Sequence, residues 1–218
     1  DKYFKDKDKI IIIPDGILGF LPFETLLNED DKYLIEKYDI KYTQSLTVLD
    51  MIQKRIYSDS RNSLIAFGGA VYDSKSYKKD MNLKEENYEK LIKDSVVEIN
   101  RGENSKKIYD YIVDSDWKNL PGTLTEIKTI KNIYKDSTIY SDKNVTEKNI
   151  KKLSADGLLK KYKIIHFATH GLVVPDAPEL SALVLSLGKS LNDDEDGYLQ
   201  MREIANLQIN SDFVNLSA

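Results

Sequence analysis

The chain has 218 residues, 32 Lys+Arg against 36 Asp+Glu, a formal net charge of −4, and no cysteine. That length allows one large domain or two small ones, and 41% hydrophobic with 31% charged residues excludes a globally disordered chain. No broad basic field invites nucleic acid, no apolar run is long enough for a membrane span, and the missing cysteines exclude a disulfide framework, a cysteine-ligated zinc and a thiol nucleophile within these residues.

Taken in order, Ile10–Ile13 is a β-branched run closed by Pro14-Asp15-Gly16, which predicts a strand buried on both faces. Pro22–Leu27 predicts a short helix with proline near its start, and Tyr38–Tyr42 alternates like a strand. Thr47–Tyr57 carries Val48, Leu49, Met51, Ile52 and Ile56 at helical spacing. Ser63–Gly69 is a strand running into a glycine turn. The stretch 72–116 is dense in charge, with helices expected over Glu85–Ile92 and Lys106–Ile112, and reads as an insertion or lid outside the core. Pro121-Gly122 opens a helix through Tyr134, with Leu124, Ile127, Ile130 and Ile133 on one face. Thr138–Tyr140 is a short strand, and Thr146 caps the next helix. Tyr162–Ala168, Ala182–Leu187 and Asp212–Leu216 are the remaining strands. Strands alternating with helices predict an α/β sandwich around a mostly parallel sheet, the whole chain forming one domain.

In such sheets ligands bind beyond the carboxyl ends of the strands. Three exits stand out: Pro14-Asp15-Gly16, His170-Gly171 and Ser217-Ala218. An imidazole at a strand end can serve as a base near neutral pH. The following glycine leaves its N–H open to an oxyanion. By itself His-Gly is equally a turn with no role.

Ile164-Ile165-His166-Phe167-Ala168-Thr169-His170-Gly171 resembles the histidine motif of CHAT domains, caspase-like relatives of the clan CD cysteine peptidases that are often fused to tetratricopeptide repeats. Further segments resemble the same family in the same order. They are Ile12–Gly16 with Leu21-Pro22-Phe23-Glu24, then Leu120-Pro121-Gly122-Thr123 with Glu126, and Leu180–Ser186. Asp196-Gly197-Tyr198-Leu199 with Glu203-Ile204, and Asp212–Ala218, complete the series. The resemblance implies a caspase-like three-layer sandwich with a mostly parallel central sheet. It also implies a nucleophilic cysteine directly after the Leu216-Ser217-Ala218 triplet, so the chain is expected to stop one residue short of it. On that reading the 218 residues hydrolyse no peptide themselves, whereas the intact protein is a cysteine endopeptidase. Ala218 standing in place of the cysteine fits less well, and Ser217 as a substitute nucleophile less well still, since strand side chains alternate and its own is expected on the opposite face from the next residue.

The implied chemistry is acyl transfer to a thiolate. His170 takes the thiol proton, and the Gly171 N–H, with that of the cysteine, holds the oxyanion. His166, four residues earlier, is expected on the same strand face, about 13 Å away, too far for a shared metal; it reads as a buried, hydrogen-bonded structural histidine. Asp15 and Asp176 lie on loops at the proposed edge and are candidates for selecting a basic substrate side chain, although Asp15 also reads, more simply, as a turn residue bonding its own backbone.

The segment Asn192–Glu203 nearly fits a calcium loop, with Asn192, Asp194, Asp196, the Tyr198 carbonyl and Glu203 as ligands. Its first position is Asn rather than Asp and a strand precedes it, so a solvated acidic loop without metal is preferred. Gly68-Gly69 lacks the further glycine or Lys-Ser/Thr of a phosphate loop. No cofactor is expected. The expected partners are a protein or peptide substrate and an upstream helical-repeat sensor of the same protein, with neither nucleic acid nor membrane, in the cytoplasm. The competing expectation is a non-catalytic, caspase-like interaction module. The absence of Gly-x-Ser-x-Gly and of a P-loop opposes an α/β-hydrolase or a nucleotide-binding domain.

Overall fold

A computed structural model describes residues 4, 6–72, 85–101, 108–109, 112, 117–186 and 195–217. The chain divides into two units, Asp1–Tyr57 and Ser58–Ala218. Among the described residues no helix is long and apolar enough to cross a membrane.

In the first unit, β1 (Lys9–Ile12) and β2 (Asp39–Tyr42) form a two-stranded parallel sheet, with Ile10 opposite Ile40. β1 is not buried on both faces as its composition predicts. Ile11 is 47% exposed, because a strand with a single neighbour has little to cover it. Pro22 precedes a single 3-10 turn, Phe23–Thr25, not an α-helix. Two helices follow, α1 (Leu34–Lys37) and α2 (Leu46–Gln53). Ser45 caps α2 by accepting the Val48 N–H at 3.1 Å. The helix ends at Gln53, so Ile56 is not part of its apolar stripe.

The second unit holds the parallel sheet expected from the sequence. Its order is β4 (Thr138–Ser141), β3 (Asn62–Gly68), β5 (Tyr162–Ala168), β9 (Phe213–Ser217), all parallel. Its two faces bury different sets of residues. Leu64, Ala66 and Ala168 pack with Ile127 of α4 (Pro121–Ile133). On the opposite face Ile65, Phe67, Ile165 and Phe167 join a larger cluster that includes Ile99 of α3 (Glu85–Arg101) and Ile150 of α5 (Glu147–Ala155). Alternation along each strand supplies the two sets, and helices flank the sheet in an α/β sandwich.

Two expectations change here. The charged stretch after Tyr72 is not wholly outside the core: Ile99, Ile108 and Tyr109 are fully buried in the larger cluster. Isolated apolar residues among many charges can be buried positions that average composition hides. Secondly, Ala182–Val184 (β7) does not extend the parallel sheet. It pairs antiparallel with β6 (His170–Leu172) and β8 (Tyr198–Gln200) in a separate three-stranded sheet, and α6 (Met201–Asn206) follows. Leu187, the expected end of that strand, lies outside the described residues.

Candidate active site

The strands of the parallel sheet end at one level. Gly68 pairs with Ser141 and with Ala168, and Ala168 pairs with Ser217. β5 stops at Ala168, Thr169 makes a bend, and His170 opens β6. The histidine therefore stands just past the carboxyl edge, at the junction of the two sheets. The bend also corrects one expectation: the alternation of β5 does not run through to His170, so His166 and His170 do not share a strand face.

The His170 ring is half-buried, and its Nε2 lies 2.8 Å from the Lys118 backbone oxygen. A carbonyl only accepts, so Nε2 carries the proton. In the neutral ring Nδ1 is then the nitrogen with a lone pair. Trp117 and Tyr72 lie beside the ring, with centroids 4.8 and 5.0 Å away. Burial raises the Tyr72 phenol above its usual pKa, so it stays neutral and polar. Its hydroxyl donates to the Val184 oxygen at 2.9 Å and lies 3.4 Å from the His170 N–H, at the last rung of β6 and β7. Val174, further along, donates its N–H to Ser181 Oγ. Gly171 is exposed.

The other sequence candidates are distributed differently. Asp15 is exposed, in the first unit, ahead of the 3-10 turn Gly16–Phe20. Its backbone oxygen accepts the Leu18 N–H at 3.1 Å, but its carboxylate makes no cap. Asp176 is exposed on the turn before Pro178. Asn192 and Asp194 lie outside the described residues. Asp196 is buried, not solvated: its Oδ1 accepts the Tyr198 N–H at 2.8 Å, and burial pushes its carboxyl up to about 6. Both oxygens of Glu203 are engaged, Oε1 by Lys151 at 2.5 Å and Oε2 by the Gln200 N–H at 2.9 Å.

Lys151 sits among three carboxylates. Its Nζ is 2.5 Å from Glu147, 2.9 Å from Glu195 and 2.5 Å from Glu203. This donor set has the reach of a cation site, and the cation it surrounds is an ammonium. Burial pulls the lysine down, but the three acidic partners outweigh it and hold it charged. Glu147 is 3% exposed, and burial beside other acids pushes it well up. Its Oε2 accepts the Gly197 N–H at 3.0 Å, which pins the acidic turn to α5.

His166 is buried within the sheet, as expected. Its Nδ1 accepts from Asn215 Nδ2 at 2.9 Å across the β5–β9 pair. Its Nε2 lies 3.0 Å from Glu126 of α4 without the alignment of a hydrogen bond. The neighbours of His170 were not foreseen from the sequence. Tyr72, Trp117 and the Lys118 carbonyl are remote along the chain, and a backbone oxygen leaves no mark in side-chain types. Asn215 was within reach, since it stands inside the strand that resembles the nucleophile strand.

The family model described as CHAT domain matches residues 3–218. No curated protein matches the chain.

Proposed function

The chain belongs to the CHAT domain family, caspase-like and related to peptidases, and from that premise we propose that it carries the histidine half of a Cys–His dyad that cleaves polypeptides. The reading is supported above all by one relationship. β5 and β9 leave the sheet side by side, with the histidine two residues beyond Ala168 at one end and the family's nucleophile position two residues beyond Ser217 at the other. Nδ1 of His170 takes the thiol proton, and sulfur adds to the peptide carbonyl. The resulting oxyanion is held by the Gly171 N–H and the nucleophile's own N–H. The imidazolium then protonates the leaving amine, and water, deprotonated by the same ring, releases the acyl group as a carboxylate. The Lys118 carbonyl keeps the ring in the tautomer this sequence needs. An upstream helical-repeat sensor and a preference for a basic side chain, set by Asp15 or Asp176, belong to the same proposal.

The test is cleavage of a proteome-derived peptide library by the chain extended with a cysteine after Ala218. New peptide termini that vanish in His170→Ala support the reading. Peptides retained but uncut, with a reactive thiol present, favour the non-catalytic interaction module instead.

A further inference from the structure

The imidazole of His170 is in contact with two aromatic rings that are themselves anchored elsewhere. Trp117 meets it at 4.8 Å and 39°, Tyr72 at 5.0 Å and 56°. Trp117 Nε1 donates to the Tyr198 hydroxyl at 3.0 Å. The Tyr198 ring stacks on Tyr109, 3.9 Å apart and 8° from parallel. Tyr109 is fully buried, and its hydroxyl donates to the Leu180 oxygen at 3.2 Å. The backbone on the other side of Lys118 is tied as well, since Asn119 Oδ1 accepts the Tyr72 N–H at 2.8 Å. The carbonyl that binds Nε2 therefore lies between two residues fixed to different parts of the core.

We infer that Trp117 is a positioning residue for His170, braced by Tyr198, and that it holds the imidazole on the Lys118 carbonyl so that Nδ1 stays unprotonated and turned to the site. A single neutral hydrogen bond favours the bound ring over a freed one by only about fivefold. A half-exposed histidine has water as a competing partner, so that bond alone leaves about one ring in six free. An aromatic pair in contact multiplies the preference by about two- to tenfold, which brings the free fraction to a few per cent. The preference comes from β8 through Tyr198, so the geometry of the base is set within the second sheet, to which β6 belongs, and not by β5.

The inference rests on His170 being the general base, but its test needs no nucleophile. The chain has two histidines, so long-range 1H–15N spectra of the intact 218-residue protein show both rings, and His166 reports on the β5–β9 packing. The native protein should show His170 with widely separated nitrogen shifts and the proton on Nε2. Trp117→Ala should draw those two shifts together, with the free fraction rising to about one in six, and leave His166 in place. Trp117→Phe, which keeps a ring, should restore most of the separation, and Tyr198→Phe should give a smaller change in the same direction. Unchanged His170 shifts in Trp117→Ala, with His166 intact, overturn the inference. Should Trp117→Ala disturb both histidines, Tyr198→Phe decides: a change at His170 alone supports the inference, and no change there overturns it. Failure of the catalytic reading looks different, as a thiol placed after Ala218 that ignores His170 while the spectra behave as described.

Discussion

Ala168 and Ser217 stand opposite each other on the last rung of the β5–β9 pair. Paired residues of parallel strands share a face, so the Ser217 side chain is on the Ala168 side, the side of α4. Ser217 is still inside the sheet, level with Ala168 and two residues short of His170 along the neighbouring chain segment. A thiol introduced by Ser217→Cys should therefore react with iodoacetamide at an ordinary rate. Adding His170→Ala should change that rate by less than about twofold. A larger dependence on His170 would mean that position 217, not the one after Ala218, faces the base.

Gly68 ends β3 where α4 crosses closest. A Cβ there would lie 2.8 Å from Ile127 Cγ2 and 3.0 Å from the Thr123 backbone oxygen. The same corner is latched by the Gly69 N–H, which donates to Thr123 Oγ1 at 2.9 Å. Gly68→Ala should destabilise the protein by about 1–3 kcal/mol, the usual cost of overpacking. Urea unfolding monitored by circular dichroism measures it, and a cost below about 0.5 kcal/mol would show that α4 yields freely.

Lys151 is the common partner of Glu147, Glu195 and Glu203. Removing the cation leaves the acids facing one another. Lys151→Met should cost about 3 kcal/mol at pH 7, the low end for a broken buried pair because the amine is part-exposed. The cost should shrink toward pH 4, where the carboxylates take up protons and need no counter-charge. Equal losses at both pH values would contradict an electrostatic origin.

Asp196 has its carboxyl pushed up to about 6 by burial, with Glu203 and Glu195 reinforcing the shift and Lys151 and the Tyr198 N–H opposing it. The unfolded chain releases this proton near pH 4. Between those values the native state holds more protons, so this group makes stability fall as pH rises from about 4 to about 6. Asp196→Asn keeps an oxygen for the Tyr198 N–H and removes the titration. Its stability curve should be flatter across that window by up to about 3 kcal/mol, and at pH 7.5 the variant should be the more stable. Parallel curves for parent and variant would refute this.

The parallel sheet was legible because its strands are long enough for apolar runs and its exits carry turn residues. Pro121-Gly122 and the spacing of Leu124, Ile127 and Ile130 marked α4 in the same way. The antiparallel sheet was not legible, since three-residue strands such as His170–Leu172 and Tyr198–Gln200 are shorter than any periodicity test requires. The buried roles of Ile99, Ile108 and Tyr109 were masked by the charge around them. The sequence singled out His170 and Gly171 through their neighbours in β5 and placed them just past a strand end, where they stand. It did not locate Tyr72 and Trp117, which reach the imidazole from 98 and 53 residues away, because tertiary contact alone brings them there.

The dyad itself is tested most directly by thiol reactivity. The chain has no cysteine, so one cysteine added after Ala218 is the sole thiol, and its alkylation by iodoacetamide at pH 7 can be followed without background. An ordinary thiol, with pKa about 8.5, is only about 3% thiolate at that pH, whereas one brought to about 7 by a neighbouring imidazole is half ionised. The account predicts alkylation about tenfold faster than a model thiol, falling to the model rate in His170→Ala. Equal rates with and without His170, in protein that retains its native circular dichroism, would contradict it.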